Sequence, residues 1–165
     1  VARIEGRVPK SSKFIVLVRH AEEDKDQGDG NPDLSEAGKL RASALAALLR
    51  HVPITSVFTS EFNRAQSTAR PICESRAITP VVVKAADANG LVEAATKAPG
   101  SVLIVGHSNT VPIMLAKLGA IESPDRVVIA EQSFDDIFVV LVDPAGPARF
   151  VRLTYGSEGL APVLK

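Results

Sequence analysis

Ser101-Val102-Leu103-Ile104-Val105-Gly106-His107-Ser108-Asn109-Thr110 decides the fold class of this chain. Its four consecutive apolar residues, three of them β-branched, predict a strand buried on both faces, the habit of a parallel sheet. Gly106 lets the backbone turn sharply where that strand ends. His107 then stands where the chain leaves the sheet. Asn109 or Thr110 is placed to cap a helix that begins near Val111 and Pro112, with proline tolerated in the first turn. In open α/β sheets ligands bind at the carboxyl ends of the strands, so His107 is a candidate site residue.

A second apolar run, Lys13 to Val18, predicts another buried strand, and it ends in Arg19-His20. Before it, residues 1–12 are polar, carry Gly6 and Pro9, and read as a loosely held arm. Residues 13–165 read as one domain. Glu22 to Asp33 is a loop rich in Asp, Gly and Asn. Leu34-Ser35-Glu36-Ala37-Gly38 opens a helix, with Ser35 as its cap and Glu36 at the positive end of the dipole. Leu40, Ala44, Leu45, Leu48 and Leu49 recur at helical spacing and predict its buried face. Pro53 stops it.

Ile54 to Thr59 predicts a short strand. Ser60 is the expected cap of the next helix, whose apolar stripe is Phe62, Ala65, Ala69, Ile72 and Cys73. Pro71 inside it is expected to kink or divide it. Pro80 to Val83 predicts a third strand, Leu91 to Ala98 a short helix, and Val111 to Leu118 another. Ile137 to Val142 and Arg149 to Leu153, joined by Pro144-Ala145-Gly146, read as an antiparallel hairpin. The pattern predicts a single three-layer α/β domain: a mostly parallel sheet flanked by helices, closed by a C-terminal antiparallel hairpin.

Composition narrows the function. The chain has 165 residues, enough for one domain with a sizeable core. Nineteen basic and nineteen acidic residues cancel, and no basic run offers a footprint for nucleic acid. No apolar stretch reaches the roughly 18 residues of a membrane helix, so no membrane partner is expected. Cys73 is the lone cysteine, which excludes an intrachain disulfide. The chain starts at Val1, which fits either a trimmed chain or a mature one after signal removal. A soluble protein is expected, cytoplasmic or exported.

Three polar clusters follow the ends of predicted strands: Arg19-His20, Ser60 with Arg64 one helical turn on, and His107-Ser108-Asn109. In a parallel sheet such ends share one edge, so the clusters converge if their strands are neighbours. Two guanidinium groups, two imidazoles and helix N-termini make an anion site with phosphate-like preference. Neutral His20 can attack phosphorus to give a covalent phosphohistidine. Arg19, Arg64 and a protonated His107 would then stabilise the equatorial oxygens, with no metal or other cofactor required. His51 reads only as a cation near a helix C-terminus.

Val16-Leu17-Val18-Arg19-His20-Ala21-Glu22 resembles the Arg-His-Gly-Glu signature of the histidine phosphatase superfamily, also called phosphoglycerate-mutase-like. Asp33-Leu34-Ser35-Glu36-Ala37-Gly38 is similar to its Leu-Ser-x-x-Gly helix start. Thr59 to Ala69 is similar to its Thr-Ser-x-x-x-Arg-Ala-x-x-Thr-Ala segment, and Val105-Gly106-His107-Ser108-Asn109 to its second-histidine motif. The resemblance implies His20 as the phosphorylated nucleophile. Arg19, Arg64 and His107 complete the phosphate pocket, joined by groups near Ser108 and Asn109. It also implies a compact member, akin to phosphohistidine phosphatases, that takes a small phosphorylated substrate or a phosphohistidine protein. The insertion that commonly supplies a carboxylic general acid is short here, Lys84 to Gly100. Asp87, just past the third strand, is the candidate acid, with a helix cap near Leu91 as its other reading. Glu22 is expected to support the site from behind.

Three other readings remain to be compared. Gly106-His107-Ser108-Asn109-Thr110 partly matches a nucleophile elbow with Ser108 as nucleophile, although every histidine precedes that serine. Asp24 to Gly30 partly matches a calcium loop but misses at Gly28, Asp29 and Ser35. A phosphate-binding module without catalysis would use the same scaffold.

Overall fold

The computed structural model describes residues 12–28 and 30–156. The predicted arm, up to residue 11, lies outside the described residues. Among those described, six strands form one sheet: β1 (Lys13–Arg19), β2 (Ile54–Thr59), β3 (Val81–Val82), β4 (Ser101–Gly106), β5 (Asp136–Val142) and β6 (Arg149–Thr154). Their order across the sheet is β3-β2-β4-β1-β5-β6. The first four run parallel, and β5 and β6 run antiparallel as the expected hairpin.

Strand alternation produces the layers. Ile15 and Leu17 of β1 and Val102 and Ile104 of β4 face one core, with α3 (Ala88–Lys97) and α4 (Thr110–Lys117). Val16, Val18, Leu103 and Val105 face the other, with α1 (Glu36–Leu48) and α2 (Asn63–Arg76). This is why β1 and β4 read as unbroken apolar runs: each second residue fills a different core. A fully buried Val, Leu or Ile contributes about 1.5–3 kcal/mol through removal from water.

Several local expectations need correction. The α1 face is turned from the one predicted. Gly38, Ala42, Leu45 and Leu49 are buried, whereas Leu40 and Leu48 are 69% and 52% exposed. α1 sets Gly38 against the Glu22 carbonyl and Ala42 against Ala21 and Leu34, while Leu45 and Leu49 join the core shared with α2. The second helix starts at Asn63 with Phe62 in the cap position and no side-chain cap, because the Ser60 hydroxyl is engaged elsewhere. Pro71 does not divide it; the helix is one element through Arg76. The third strand is only Val81–Val82, an exposed edge. The α3 helix begins three residues earlier than expected, after a 3-10 turn at Ala85–Asp87.

Candidate active site

Parallel pairing sets the level of the strand ends. Arg19 lies opposite Gly106, and Thr59 opposite Val105. β4 therefore sits between β2 and β1 with their carboxyl ends in register. The residues that follow, His20, Ser60 and His107, emerge side by side, and the His20 amide donates to the Gly106 carbonyl at 2.9 Å. The three predicted clusters meet on one edge because their strands are neighbours.

His20 is 4% exposed, and its ring is fixed by its own turn. Nδ1 lies 2.8 Å from the Ala21 carbonyl, which can only accept, so Nδ1 carries the proton. Nε2 keeps its lone pair and receives a hydrogen bond from Arg64 Nε at 3.3 Å. Burial pushes the imidazole down to about 3, and His107, Arg64 and Arg19 push the same way. His20 is neutral at pH 7 and holds a nucleophilic nitrogen against a guanidinium.

His107 packs with its ring centroid 5.2 Å from that of His20. Its Nε2 is 2.7 Å from the buried Ser60 hydroxyl. Its amide donates to Thr110 Oγ1 at 2.9 Å, a contact made by the first residue of α4. Burial, then Arg64, lower its pKa to about 4, and Glu61 opposes them. A desolvated imidazole beside two arginines stays neutral.

Arg64 comes from the first turn of α2. Its Nε also pairs with Glu23 at 3.3 Å, and its guanidinium lies over the Phe62 ring at 4.5 Å. Arg19 is held differently. Its Nη1 donates to the carbonyls of Ala130, Glu131 and Ser133 at 2.8–3.0 Å. Its Cζ stacks 4.1 Å over Phe134, and its buried Nε has no hydrogen-bond partner among the described residues. Phe134 in turn lies 6.0 Å from the His20 ring. The segment leading into β5 is thereby fastened to Arg19. No periodicity or motif in the sequence signals that segment.

Behind the histidines, Ala21 N donates to Thr68 Oγ1 at 2.9 Å, and that hydroxyl donates to the Arg64 carbonyl at 2.7 Å. Thr68 thus joins the β1 turn to α2. Glu22 turns away from the histidines and takes Nε and Nη2 of Arg41 at 2.7–2.8 Å. Desolvation of that carboxylate is outweighed by Arg41, and its pKa is lowered. Ser35 caps α1 as expected, accepting from Gly38 at 3.2 Å. Gly38 itself packs against the Glu22 carbonyl with no room for a Cβ. The Leu-Ser-x-x-Gly pattern therefore seats α1 directly on the turn that carries His20.

Of the two readings of Asp87, the structure shows the helix cap. It is exposed, stands in the N-cap position of α3, and accepts from Gly90 at 2.9 Å. Ser108 and Asn109 form the turn before α4. The elbow reading fails on geometry, since the adjacent imidazole is bonded to Ser60 and not to Ser108. Among the described residues no group of three or more His, Cys, Asp or Glu side chains is arranged to hold a metal ion; Asp29 of the partial calcium-loop match lies outside the described residues. No described helix is long and apolar enough to cross a membrane.

The family model of the histidine phosphatase superfamily, branch 1, matches residues 15–87. A Schizosaccharomyces pombe protein named as a probable phosphatase is 32% identical over 73 residues, covering 41% of this chain and 35% of that protein. The chain thus matches about a third of that relative's length. A mycobacterial glucosyl-3-phosphoglycerate phosphatase has a similar fold, with a TM-score of 0.65 at 15% identity over 88% of this chain and 99% of that one. The protein histidine phosphatase SixA, complexed with tungstate, aligns with a TM-score of 0.66 at 20% identity, over 86% and 96% of the two chains. At these identities the two structures speak for the fold alone. The matched segment runs from β1 to the cap of α3 and so contains Arg19, His20, Ser60 and Arg64. The same sheet continues through β4 to His107, so the segment similar to the histidine phosphatase superfamily and the second histidine share one fold.

Proposed function

We propose that this chain is a phosphatase that hydrolyses a phosphomonoester or a phosphohistidine through a covalent phosphohistidine on Nε2 of His20. One observation carries the reading. The Nδ1 proton is committed to the Ala21 carbonyl, so a lone pair on Nε2 faces a pocket shared with Arg64 and His107. In the first step Nε2 bonds to phosphorus and the bond to the leaving group breaks. In the second, water bonds to phosphorus, the nitrogen–phosphorus bond breaks, and inorganic phosphate leaves.

Arg64 and Arg19 carry the charge of the equatorial oxygens. A bound dianion raises the His107 pKa, so that His107 donates a hydrogen bond to the same group. Ser108 and Asn109 offer backbone N–H groups before α4. The two guanidinium groups supply the positive charge that a metal ion supplies in other phosphatases. The partner is a small phosphorylated molecule or a phosphohistidine protein. The names of the similar structures support a phosphorylated substrate without selecting one.

Turnover of p-nitrophenyl phosphate, with acid- and base-quenched samples, tests the reading. A base-stable, acid-labile phosphoenzyme is expected. It should disappear, together with turnover, in His20→Ala, and activity should survive exhaustive chelation. Near-normal turnover by His20→Ala, or loss on chelation with rescue by a divalent ion, would overturn the assignment. Tight phosphate binding without any turnover would favour a binding module.

A further inference from the structure

Loss of an alkoxide from phosphorus needs a proton in the transition state, an effect of about 10²–10⁴-fold. The carboxylates whose fields reach Arg19 and His107 are Glu22, Glu23, Glu61 and Glu131. Glu22 is engaged by Arg41 through both oxygens, and Glu23 is paired with Arg64. Asp87 is turned to the Gly90 amide.

Glu61 is placed differently. It lies between Ser60, whose hydroxyl holds His107, and Arg64, which holds His20 Nε2. Its backbone is therefore fixed at the mouth from both sides. Its Oε2 accepts from the Ala85 amide at 2.7 Å, which ties the turn after β3 to the loop after β2. Ala85 lines a small cavity together with Ser60 and His107. The carboxyl thus stands where the short Lys84 to Gly100 segment meets the turn after β2, within electrostatic reach of His107. One oxygen is anchored there, and the other makes no hydrogen bond to a described residue.

We infer that Glu61 is the proton donor to the leaving group, an assignment that rests on the phosphatase reading above. In the first step its carboxyl proton passes to the leaving oxygen as the phosphorus–oxygen bond breaks and His20 Nε2 bonds to phosphorus. In the second step the resulting carboxylate takes a proton from the water that attacks phosphorus, which restores the acid.

The test compares β-glycerophosphate with p-nitrophenyl phosphate, whose leaving group needs no proton. Wild type, Glu61→Gln, Glu131→Gln and Asp87→Asn are assayed on both. Glutamine keeps an acceptor for the Ala85 amide, and thermal melting checks that the fold is kept. Glu61→Gln should lose about 10²-fold in kcat on the alkyl phosphate and stay within a few-fold of wild type on the aryl phosphate. The other two variants should show no such split. Equal effects of Glu61→Gln on both substrates, a split in Glu131→Gln or Asp87→Asn instead, or a wild type inert toward the alkyl phosphate would overturn the role of Glu61. A wild type inert toward p-nitrophenyl phosphate, with no phosphoenzyme, would instead overturn the phosphatase reading itself.

Discussion

The hydroxyl of Ser60 lies 2.7 Å from Nε2 of His107, and both residues are buried. β2 and β4 are adjacent and parallel, and these residues begin the turns beyond their carboxyl ends. The pair therefore locks the second histidine to the neighbouring turn and fixes its ring beside His20.

Ser60→Ala removes that partner and leaves the imidazole nitrogen without its protein hydrogen bond. The expected loss of stability is about 1–3 kcal/mol, the cost of an unsatisfied buried polar group. The kcat on p-nitrophenyl phosphate should fall as well, because His107 is free to rotate out of the pocket. Urea unfolding beside steady-state kinetics measures both. Unchanged kcat with reduced stability would make the contact purely structural.

Glu22 and Arg41 form a partly buried pair, with side chains 23% and 16% exposed. Arg41 also donates to the Tyr155 carbonyl at 3.0 Å, which ties the end of β6 to α1. Glu22→Gln leaves a guanidinium with a weaker partner, and a loss of about 1–2 kcal/mol is expected, reduced by solvent screening. The kcat should stay within a few-fold of wild type, since neither group touches the histidines. A large kcat loss at unchanged stability would place Glu22 in the chemistry.

The sheet and the site edge were legible in the sequence for a physical reason. Each central strand is buried on both faces, so Val102 to Val105 and Ile15 to Val18 read as apolar runs, and a polar residue at their ends marks the edge directly. Helix faces were less legible. Leu40 and Leu48 carry the apolar signal of α1, yet Gly38 and Ala42 make its contact, because close approach selects small residues over large ones. Ser60 reads as a cap from local spacing, but its partner comes from β4, which local spacing cannot register. The carbonyls that bind Arg19 are backbone groups, and no side-chain pattern announces them.

Gly38 supplies a direct test of how α1 supports the site. A methyl group at this position would collide with the Glu22 carbonyl, which is backbone and cannot rotate away. An alanine in a helix interior is ordinarily favoured over glycine by about 1 kcal/mol. Here the collision should win, and Gly38→Ala should destabilise by about 1–3 kcal/mol, as overpacking does. The displaced turn carries His20, so kcat should fall with stability. Denaturant titration that shows equal or greater stability would remove this close approach from the account.

The two histidines set a pH dependence of stability. Burial lowers His20 to about 3 and His107 to about 4, against an ordinary value of 6.5. Between these values the unfolded chain binds protons that the folded chain excludes, so stability rises with pH and falls on acidification. The loss begins as pH drops through 6.5, where the unfolded imidazoles charge. It continues until the folded-state values are reached. Near pH 5 these two groups take up nearly two protons on unfolding, a slope of about 2.5 kcal/mol per pH unit. Carboxylates held low by cations, such as Glu22, add to acid destabilisation only at lower pH. His20→Ala should cut the proton uptake to about one, visible as a halved slope in urea midpoints between pH 6.5 and 5. Saturating inorganic phosphate should flatten the slope too, because the bound anion lets His107 hold its proton in the folded state. A slope near zero in the wild type over that range would mean the imidazoles are not desolvated as the structure places them.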